Sequence, residues 1–252
     1  MRKFFIIILS GVILTFLTLT QLSAAQRGVT VKTRDVDGST NEISLYSGYH
    51  ALVIGCGDYR NGWPKLPNPV KDAREIAGEL KTSGWAVDLL EDPDWAKLRR
   101  ALNSLITGPG REENKAILIW FSGHGHTLSE LGGTKLGYIV PVDAPRPDQD
   151  ELGFMEKAVS MRQIETIVRR IKAKHVITLF DSCFSGAIFQ AVRSAPTPYI
   201  AEKVNKPVRE FITAGSEDEQ VPDKSVFKVV FCRGSRTDLP IEIKMVMSRG
   251  WK

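Results

Sequence analysis

The sequence predicts an α/β fold: a doubly wound, mainly parallel sheet flanked by helices. Strand-like apolar runs alternate with helical patterns along the chain, the order that produces parallel strands joined by helices. Two of these runs, residues 116–121 and 176–180, are apolar at consecutive positions, as strands covered by helices on both faces must be. The chain has 252 residues, 42% of them hydrophobic and 25% charged, which is enough for one sizeable core. Bulk disorder is therefore excluded.

The first 25 residues are predicted to be a secretory signal. Arg2 and Lys3 precede an apolar run over residues 4–19, and the small residues Ser23, Ala24 and Ala25 follow it. This order indicates cleavage after Ala25. An uncleaved membrane anchor is the alternative, because the apolar run approaches the roughly 17–25 residues that span a bilayer. In both cases we expect an exported domain, periplasmic or extracellular, or anchored and facing outward.

Residues 26–48 are predicted to form a small N-terminal β-hairpin that precedes the main domain, residues 49–241. Apolar and polar residues alternate over 29–32 and 43–45, on either side of a turn at Asp37, Gly38 and Ser39. Within the main domain, the apolar runs and helical periods predict five strands, at residues 51–55, 87–90, 116–121, 176–180 and 211–214, and three helices, at residues 72–81, 94–106 and 161–171.

Helix ends and loops are predicted from local signals. Asp72 and Asp94 precede helical patterns and are expected at helix N-termini, whereas Gly84 is expected to end the first helix. Residues 127–153 are rich in Gly and Pro and are predicted to be a long, functional loop region with a short apolar insert at 138–140. Residues 193–207 carry three prolines and form a second candidate loop.

Charge and cysteine content exclude several classes of protein. The full chain carries a net charge of +5, and it falls to +3 without the leader, which contains two basic and no acidic residues. The basic residues are scattered, so no nucleic-acid partner is expected. Three cysteines are too few for a disulfide scaffold or a Cys-rich zinc site. Cys56 and Cys232 are predicted to be small buried hydrophobic residues.

Chemistry is predicted where two strong strands end. Residues 116–121 run into a segment containing His124, and residues 176–180 run into one containing Cys183. Ligands of doubly wound sheets bind beyond the carboxyl ends of the strands, so an imidazole and a thiol are expected at one edge. Such a pair can act as a cysteine-hydrolase dyad. The alternative is two ordinary strand-to-loop turns with an incidental buried cysteine.

Glycines flank His124 and would let a substrate backbone approach closely. If the backbone amides of Gly125 and Cys183 point towards a developing oxyanion, they would supply the electrostatic stabilisation that acyl transfer needs.

The segments FSGHG and DSCFSG, preceded by ALVIGCGDY and LPNPVKDAREIAGEL, resemble the caspase-like cysteine peptidases, specifically the bacterial branch close to metacaspases. The resemblance covers about residues 49–239 and implies the caspase-like fold. It also implies that His124 is the general base and acid, that Cys183 is the nucleophile, and that the amides of Gly125 and Cys183 form the oxyanion hole. His126 is then the weaker histidine candidate.

The resemblance also implies a substrate. Metacaspase-like enzymes cleave after Arg or Lys, and their acidic pocket residues match Asp72 and Asp181 of this chain. Two carboxylates facing one cavity suit a cationic side chain. A helix N-cap role for Asp72 and a structural hydrogen-bonding role for Asp181 are the alternatives. Cleavage after Asp would need basic pocket residues instead.

The chain departs from this family at two places. Phe184 stands where many relatives have a histidine, a change of pocket lining rather than of chemistry. Residues 242–252 form an atypical tail that we hypothesise to be frameshifted, because back-translation of 241–252 displaced by one nucleotide can give the Asp-Gly-Tyr-Val-Thr stretch that relatives carry. Relatives often cleave themselves, for which Arg193 and Lys203 are candidate sites.

The resulting prediction is a cysteine endopeptidase that acts on peptides or proteins after Arg or Lys, without a required cofactor. Some relatives depend on calcium, but no convincing calcium loop is present in the sequence, and no metal is assigned. A membrane is expected as a partner only if the leader is an uncleaved anchor. A non-catalytic caspase-fold scaffold or partner-binding module is the alternative function, and an amidase or transpeptidase is a third class.

Overall fold

The computed structural model describes residues 30–34, 40–44, 46–130, 132–182 and 207–213. The predicted N-terminal hairpin is present. Strand β1 (Thr30–Arg34) pairs with strand β2 (Thr40–Ser44) in an antiparallel two-stranded sheet, in which Thr30 lies opposite Ser44.

A five-stranded parallel sheet forms the centre of the main domain. Its strands are β3 (Gly48–Gly55), β4 (Ala86–Glu91), β5 (Lys115–Ser122), β9 (His175–Asp181) and β10 (Val208–Thr213). They lie in the order β10, β9, β5, β3, β4, and every neighbouring pair is parallel. The predicted parallel sheet and all five of its strands are confirmed. Each strand begins one to three residues earlier than predicted, since the residues that precede the apolar run also belong to the ladder.

Helices cover both faces of this sheet, which makes it doubly wound as predicted. Helix α1 (Pro69–Thr82) packs on one face. Its buried residues form one core with alternate side chains of the sheet, among them Ala51, Val53, Leu118, Trp120 and Leu179. Helices α2 (Trp95–Thr107) and α4 (Met161–Arg170) supply Leu98, Leu102, Ile164 and Val168 to the core on the opposite face, together with Leu52, Ile54, Phe121 and Phe180 of the strands. Successive residues of a strand point to opposite faces, so each of these strands contributes side chains to both cores.

The two predicted helix starts differ in outcome. Asp94 is the N-cap of α2, and its side chain accepts a hydrogen bond from the Lys97 N–H at 2.8 Å. Asp72 is not the N-cap of α1, but its carboxyl group lies in the first turn of this helix, as expected of an acidic residue near a helix N-terminus. Helix α1 begins earlier, after Asn68, because Pro69 has a backbone dihedral suited to a first helical turn; the Asp72 N–H already donates to Asn68 O at 2.9 Å. Gly84 follows the end of α1 at φ +87°, as expected of a glycine that stops a helix.

The long loop predicted for residues 127–153 is also largely wrong. Strands β6 (Gly125–Ser129), β7 (Lys135–Ile139) and β8 (Val159–Ser160) form a separate three-stranded antiparallel sheet, and a short helix, α3 (Glu151–Lys157), precedes β8. Gly132 and Gly133, at φ +86° and +80°, allow the tight turn between β6 and β7. Leu136, Tyr138 and Ile139 are buried, so β7 is a core strand rather than a loop insert. Residues 193–206 and 242–252 lie outside the described residues.

Candidate active site

The carboxyl ends of β5 and β9 bring the two predicted motifs to one edge of the sheet. The last residues of these strands, Ser122 and Asp181, are register partners in adjacent parallel strands. Adjacent strands are spaced about 5 Å apart. The chain therefore leaves the sheet at neighbouring positions, after Ser122 in one strand and after Asp181 in the other. Cys183 itself lies outside the described residues.

The His124 imidazole is held by a main-chain carbonyl. Its Nε2 lies 2.8 Å from the carbonyl oxygen of Pro64. A carbonyl only accepts hydrogen bonds, so Nε2 carries the proton and Nδ1 has the lone pair. Burial lowers the pKa of His124 below its ordinary value, and the hydrogen bond to Pro64 opposes this in part. The ring is therefore neutral at neutral pH, with Nδ1 available to take a proton.

The loop between β3 and α1 builds this environment. The Asp92 Oδ1 accepts the N–H groups of Gly57 and Asp58 at 2.7 and 2.8 Å, which fixes the start of the loop. Farther along, the Tyr59 ring lies 4.5 Å from the His124 ring and the Trp63 ring lies 5.0 Å from it, centre to centre. The loop thus supplies two aromatic rings and one carbonyl oxygen that contact the imidazole.

Sequence reasoning assigned no role to Tyr59, Trp63 or Pro64. Tyr59 lies in the ALVIGCGDY segment, which carries part of the resemblance to caspase-like peptidases. The available signal was the presence of two aromatic residues, Tyr59 and Trp63, close to the glycines that follow β3. A carbonyl acceptor such as that of Pro64 leaves no signal in a sequence, because every residue has one.

Gly125 is the first residue of β6, and its N–H is turned away from β7. The Val140 N–H donates to His124 O at 3.1 Å, which makes these two residues a hydrogen-bonded position of the antiparallel ladder. Hydrogen-bonded and non-hydrogen-bonded pairs alternate, so Gly125 and Ile139 form a non-hydrogen-bonded pair. The Gly125 N–H consequently takes no part in the β6–β7 ladder. An oxyanion donor has to meet this condition, because its N–H must be free of ladder bonds.

The two predicted pocket carboxylates share a face and an edge of the sheet. Asp72 is 5% exposed in the first turn of α1, and Asp181 is 7% exposed at the end of β9. Phe180 belongs to the core under α2 and α4, so alternation places the Asp181 side chain on the α1 face. Helix α1 begins over the end of β3, where a Cβ on Gly55 would lie 2.6 Å from Pro69 O. Both acids therefore lie at the carboxyl edge, on the side of the sheet that α1 covers.

Comparison with known families gives a match over most of the chain: the sequence model of the caspase domain, Peptidase_C14, matches residues 49–237. The chain belongs to the caspase domain family. This is a family of cysteine peptidases.

Solved structures similar to this caspase domain include protein GSU0716 from Geobacter sulfurreducens, at 20% identity and a TM-score of 0.44, covering 64% of this chain and 60% of that one. They also include the Drosophila initiator caspase Dronc, at 12% identity and a TM-score of 0.41, covering 57% of each chain. The chain thus spans less than two thirds of the length of either structure. No curated protein sequence matches it.

His126, the second histidine of the caspase domain's glycine-rich turn, has different surroundings from His124. Its ring packs edge-on against Trp63 and Phe154, at 5.8 and 5.4 Å between ring centres. Burial, followed by the nearby charge of Arg146, lowers its pKa. Of the two histidines, His124 has the carbonyl partner that orients a ring for proton transfer.

Cys56 of this caspase domain is fully buried at the end of β3, as predicted. Burial and the negative charge of Asp92 raise its pKa far above the ordinary thiol value. A thiol of this kind stays protonated and is a poor nucleophile. Cys232 lies outside the described residues.

In the part of the caspase domain that the structure describes, no three His, Cys, Asp or Glu side chains cluster as a metal site requires. None of the described helices has the length and apolar character needed to cross a membrane.

Proposed function

We propose that the chain is a cysteine endopeptidase that hydrolyses peptide bonds after Arg or Lys, with His124 and Cys183 as its catalytic dyad. The observation that carries the proposal is the parallel pairing of β5 and β9, which end opposite each other and run directly into the two motifs. The orientation of His124 supports it, because Nε2 is bound to Pro64 O and Nδ1 keeps its lone pair.

Proton transfer begins with the neutral imidazole. His124 Nδ1 takes the proton of the Cys183 thiol, and the thiolate attacks the carbonyl carbon of the scissile bond. The C=O electron pair moves to the oxygen, and the amides of Gly125 and Cys183 donate hydrogen bonds to this oxyanion. When the intermediate collapses, the C–N bond breaks and His124 gives its proton to the leaving amine. Water, deprotonated by His124, then hydrolyses the thioester and restores the thiol.

The specificity is proposed from the two buried carboxylates. Asp72 and Asp181 lie on the same face at the same edge, and both are largely removed from solvent. A guanidinium or ammonium group between them would form charge-assisted hydrogen bonds, which are stronger than neutral ones. An acidic side chain would be repelled there.

Catalysis is tested with fluorogenic peptides that end in Arg, Lys or Asp, with and without calcium. We expect turnover of the Arg and Lys peptides, loss of activity in Cys183→Ala, and a fall of about 10²- to 10⁴-fold in His124→Ala. Cys56→Ala is the matched cysteine control and should keep its kcat, because that thiol is buried and protonated. Hydrolysis that persists in Cys183→Ala would contradict the dyad. Absence of Cys183-dependent hydrolysis would favour the non-catalytic module, and transfer to an added amine would indicate a transpeptidase.

Specificity is tested separately with Asp72→Asn and Asp181→Asn. Hydrogen bonds to charged groups contribute roughly 1.5–3 kcal/mol, so kcat/KM for the Arg peptide should fall by about 10- to 100-fold in each variant. Asp88→Asn is the control, because Asp88 lies on β4 and pairs with His50 at 3.1 Å. Equal losses in all three variants would show that the two carboxylates do not form the pocket.

We also propose export with cleavage after Ala25. The charged, apolar and small segments of residues 1–25 support this. N-terminal sequencing of the protein isolated from its producing cells should begin at Gln26. An intact leader in a membrane fraction would favour the anchor.

A further inference from the structure

The hydroxyl group of Tyr59 lies between two main-chain groups at the point where β6 and β7 begin to pair. The Tyr59 Oη accepts the N–H of His124 at 2.7 Å and donates to the carbonyl oxygen of Val140 at 3.0 Å. The side chain is 2% exposed. Burial raises the pKa of Tyr59, so the hydroxyl keeps the proton that it donates.

This arrangement replaces one bond of the antiparallel ladder. In a hydrogen-bonded pair, both residues donate to each other. Val140 donates directly to His124 O at 3.1 Å, but the reciprocal bond runs through the Tyr59 hydroxyl. The hydroxyl therefore bridges the His124 N–H and the Val140 carbonyl oxygen, which do not bond to each other directly.

The space for the hydroxyl depends on a glycine. A Cβ on Gly123 would lie 2.5 Å from the Tyr59 Oη and 2.9 Å from the Cys56 Cβ. Only a residue without a side chain allows Tyr59 to approach His124 this closely. Gly123 is therefore needed for the contact between Tyr59 and His124, a role that the resemblance to relatives does not imply.

Tyr59 belongs to the same loop as Pro64, whose carbonyl oxygen binds the other side of His124. The main chain of His124 and its ring are therefore both held by one loop segment. The turn at the start of this segment is fixed by Asp92.

We propose that Tyr59 is a positioning residue of the active site: its hydroxyl orients the peptide unit of His124, and through it the imidazole and the adjacent Gly125 N–H. This inference rests on the proposed peptidase function. Tyr59 contacts His124 through its hydroxyl and its ring, and it acts only through that residue. Its loss should therefore lower kcat, which depends on alignment in the transition state, and leave KM nearly unchanged.

Tyr59→Phe removes the hydroxyl and keeps the ring. With the Arg peptide, we expect kcat to fall by about 10- to 100-fold, since small misplacements of catalytic groups have effects of this size. KM should stay within about twofold. Tyr46→Phe is the matched control: its hydroxyl bonds to His175 Nδ1 at 2.5 Å at the amino ends of the strands, the opposite edge of the sheet. Its loss should affect thermal stability but not kcat.

A second measurement does not depend on enzyme activity. The chain has four histidines, so ¹⁵N-histidine labelling gives few backbone signals. In the wild type, the His124 amide should be protected from hydrogen exchange. In Tyr59→Phe, its exchange should accelerate by about tenfold or more, while the amides of His50 and His175 in the central sheet stay unchanged. The ring signals should show Nε2 protonated in the wild type.

The outcomes separate the two proposals. If the wild type cleaves no peptide but its His124 amide is protected and released in Tyr59→Phe, the peptidase proposal fails and the orienting contact stands. A folded Tyr59→Phe with wild-type kcat and an unchanged His124 amide would overturn the positioning role. If Tyr59→Phe does not fold, the wild-type exchange decides: a His124 amide that exchanges like an exposed one shows that the hydroxyl does not hold it.

Discussion

Asp92 anchors the loop that encloses His124, and its substitution tests how the loop is held. The residue follows β4 with φ +45°, a conformation that Asp, Asn and Gly adopt more readily than other residues. Its Oδ1 accepts the N–H groups of Gly57 and Asp58 at 2.7 and 2.8 Å. Asp92→Gly would keep the backbone conformation and remove both acceptor contacts.

The expected loss follows from these two bonds. Hydrogen bonds to charged groups contribute roughly 1.5–3 kcal/mol when buried, and this carboxylate is only partly buried, so we assign about 1 kcal/mol to each and about 2 kcal/mol in total to the free energy of unfolding. For a chain of this size, that corresponds to a fall in Tm of about 4–8 °C. Asp92→Asn keeps an oxygen at the acceptor position and should lose less than half as much.

Urea unfolding and thermal melting of both variants measure the effect, and hydrogen exchange of the Gly57 and Asp58 amides locates it. Because the loop also carries Pro64, kcat of Asp92→Gly should fall more than its KM rises. If Asp92→Asn is destabilised as much as Asp92→Gly, the charge rather than the acceptor geometry holds the turn. Unchanged exchange at Gly57 and Asp58 in Asp92→Gly would refute the reasoning altogether.

Three further predictions concern separate contacts. Since burial lowers the pKa of His124 below 6.5 and only the neutral ring accepts a proton, kcat/KM should rise with pH through an inflection below 6.5; an inflection above 6.5 in a pH profile would contradict this. Arg209→Leu should lower the free energy of unfolding, measured with urea, by about 2 kcal/mol, because the half-buried guanidinium donates to the carbonyls of Val168, Ile171, Lys174 and Val208; Arg209→Lys should not restore it. Gly123→Ala should destabilise the chain by about 1–3 kcal/mol through overlap with Tyr59, and wild-type stability would show that the loop can move aside.

The central sheet could be predicted because its signals are local. Five consecutive-apolar or alternating runs gave the strands, and the pattern of intervening helices gave their parallel order. The predicted start of α1 at Asp72 is three residues late, because an acidic residue is equally typical of the first turn, whereas Pro69 occupies the first helical position. The small sheet of β6, β7 and β8 was missed because its glycine-rich turn dominated the composition of residues 127–153.

In the candidate site, too, the positions of residues could be predicted from local sequence, whereas their long-range contacts could not. The positions of His124 and Asp181 at strand ends follow from the runs that precede them, and Gly125 follows from its place after the histidine. The contacts that orient His124 do not follow from any local pattern. Pro64 and Tyr59 lie 60 and 65 residues from it, and they act through a main-chain carbonyl and through a hydroxyl that bridges two main-chain groups.

The sequence by itself determined the five strands of the central sheet, the three helices that flank it, the family and the residue types available for chemistry, because hydrophobic period and motif identity are properties of neighbouring residues. Only the tertiary structure decided which nitrogen of His124 carries the proton, on which face of the sheet Asp72 and Asp181 lie, and which hydroxyl binds the His124 N–H. These depend on groups that meet only when the β3–α1 loop folds over the edge of the sheet, and main-chain donors and acceptors have the same chemistry at nearly every position of a sequence.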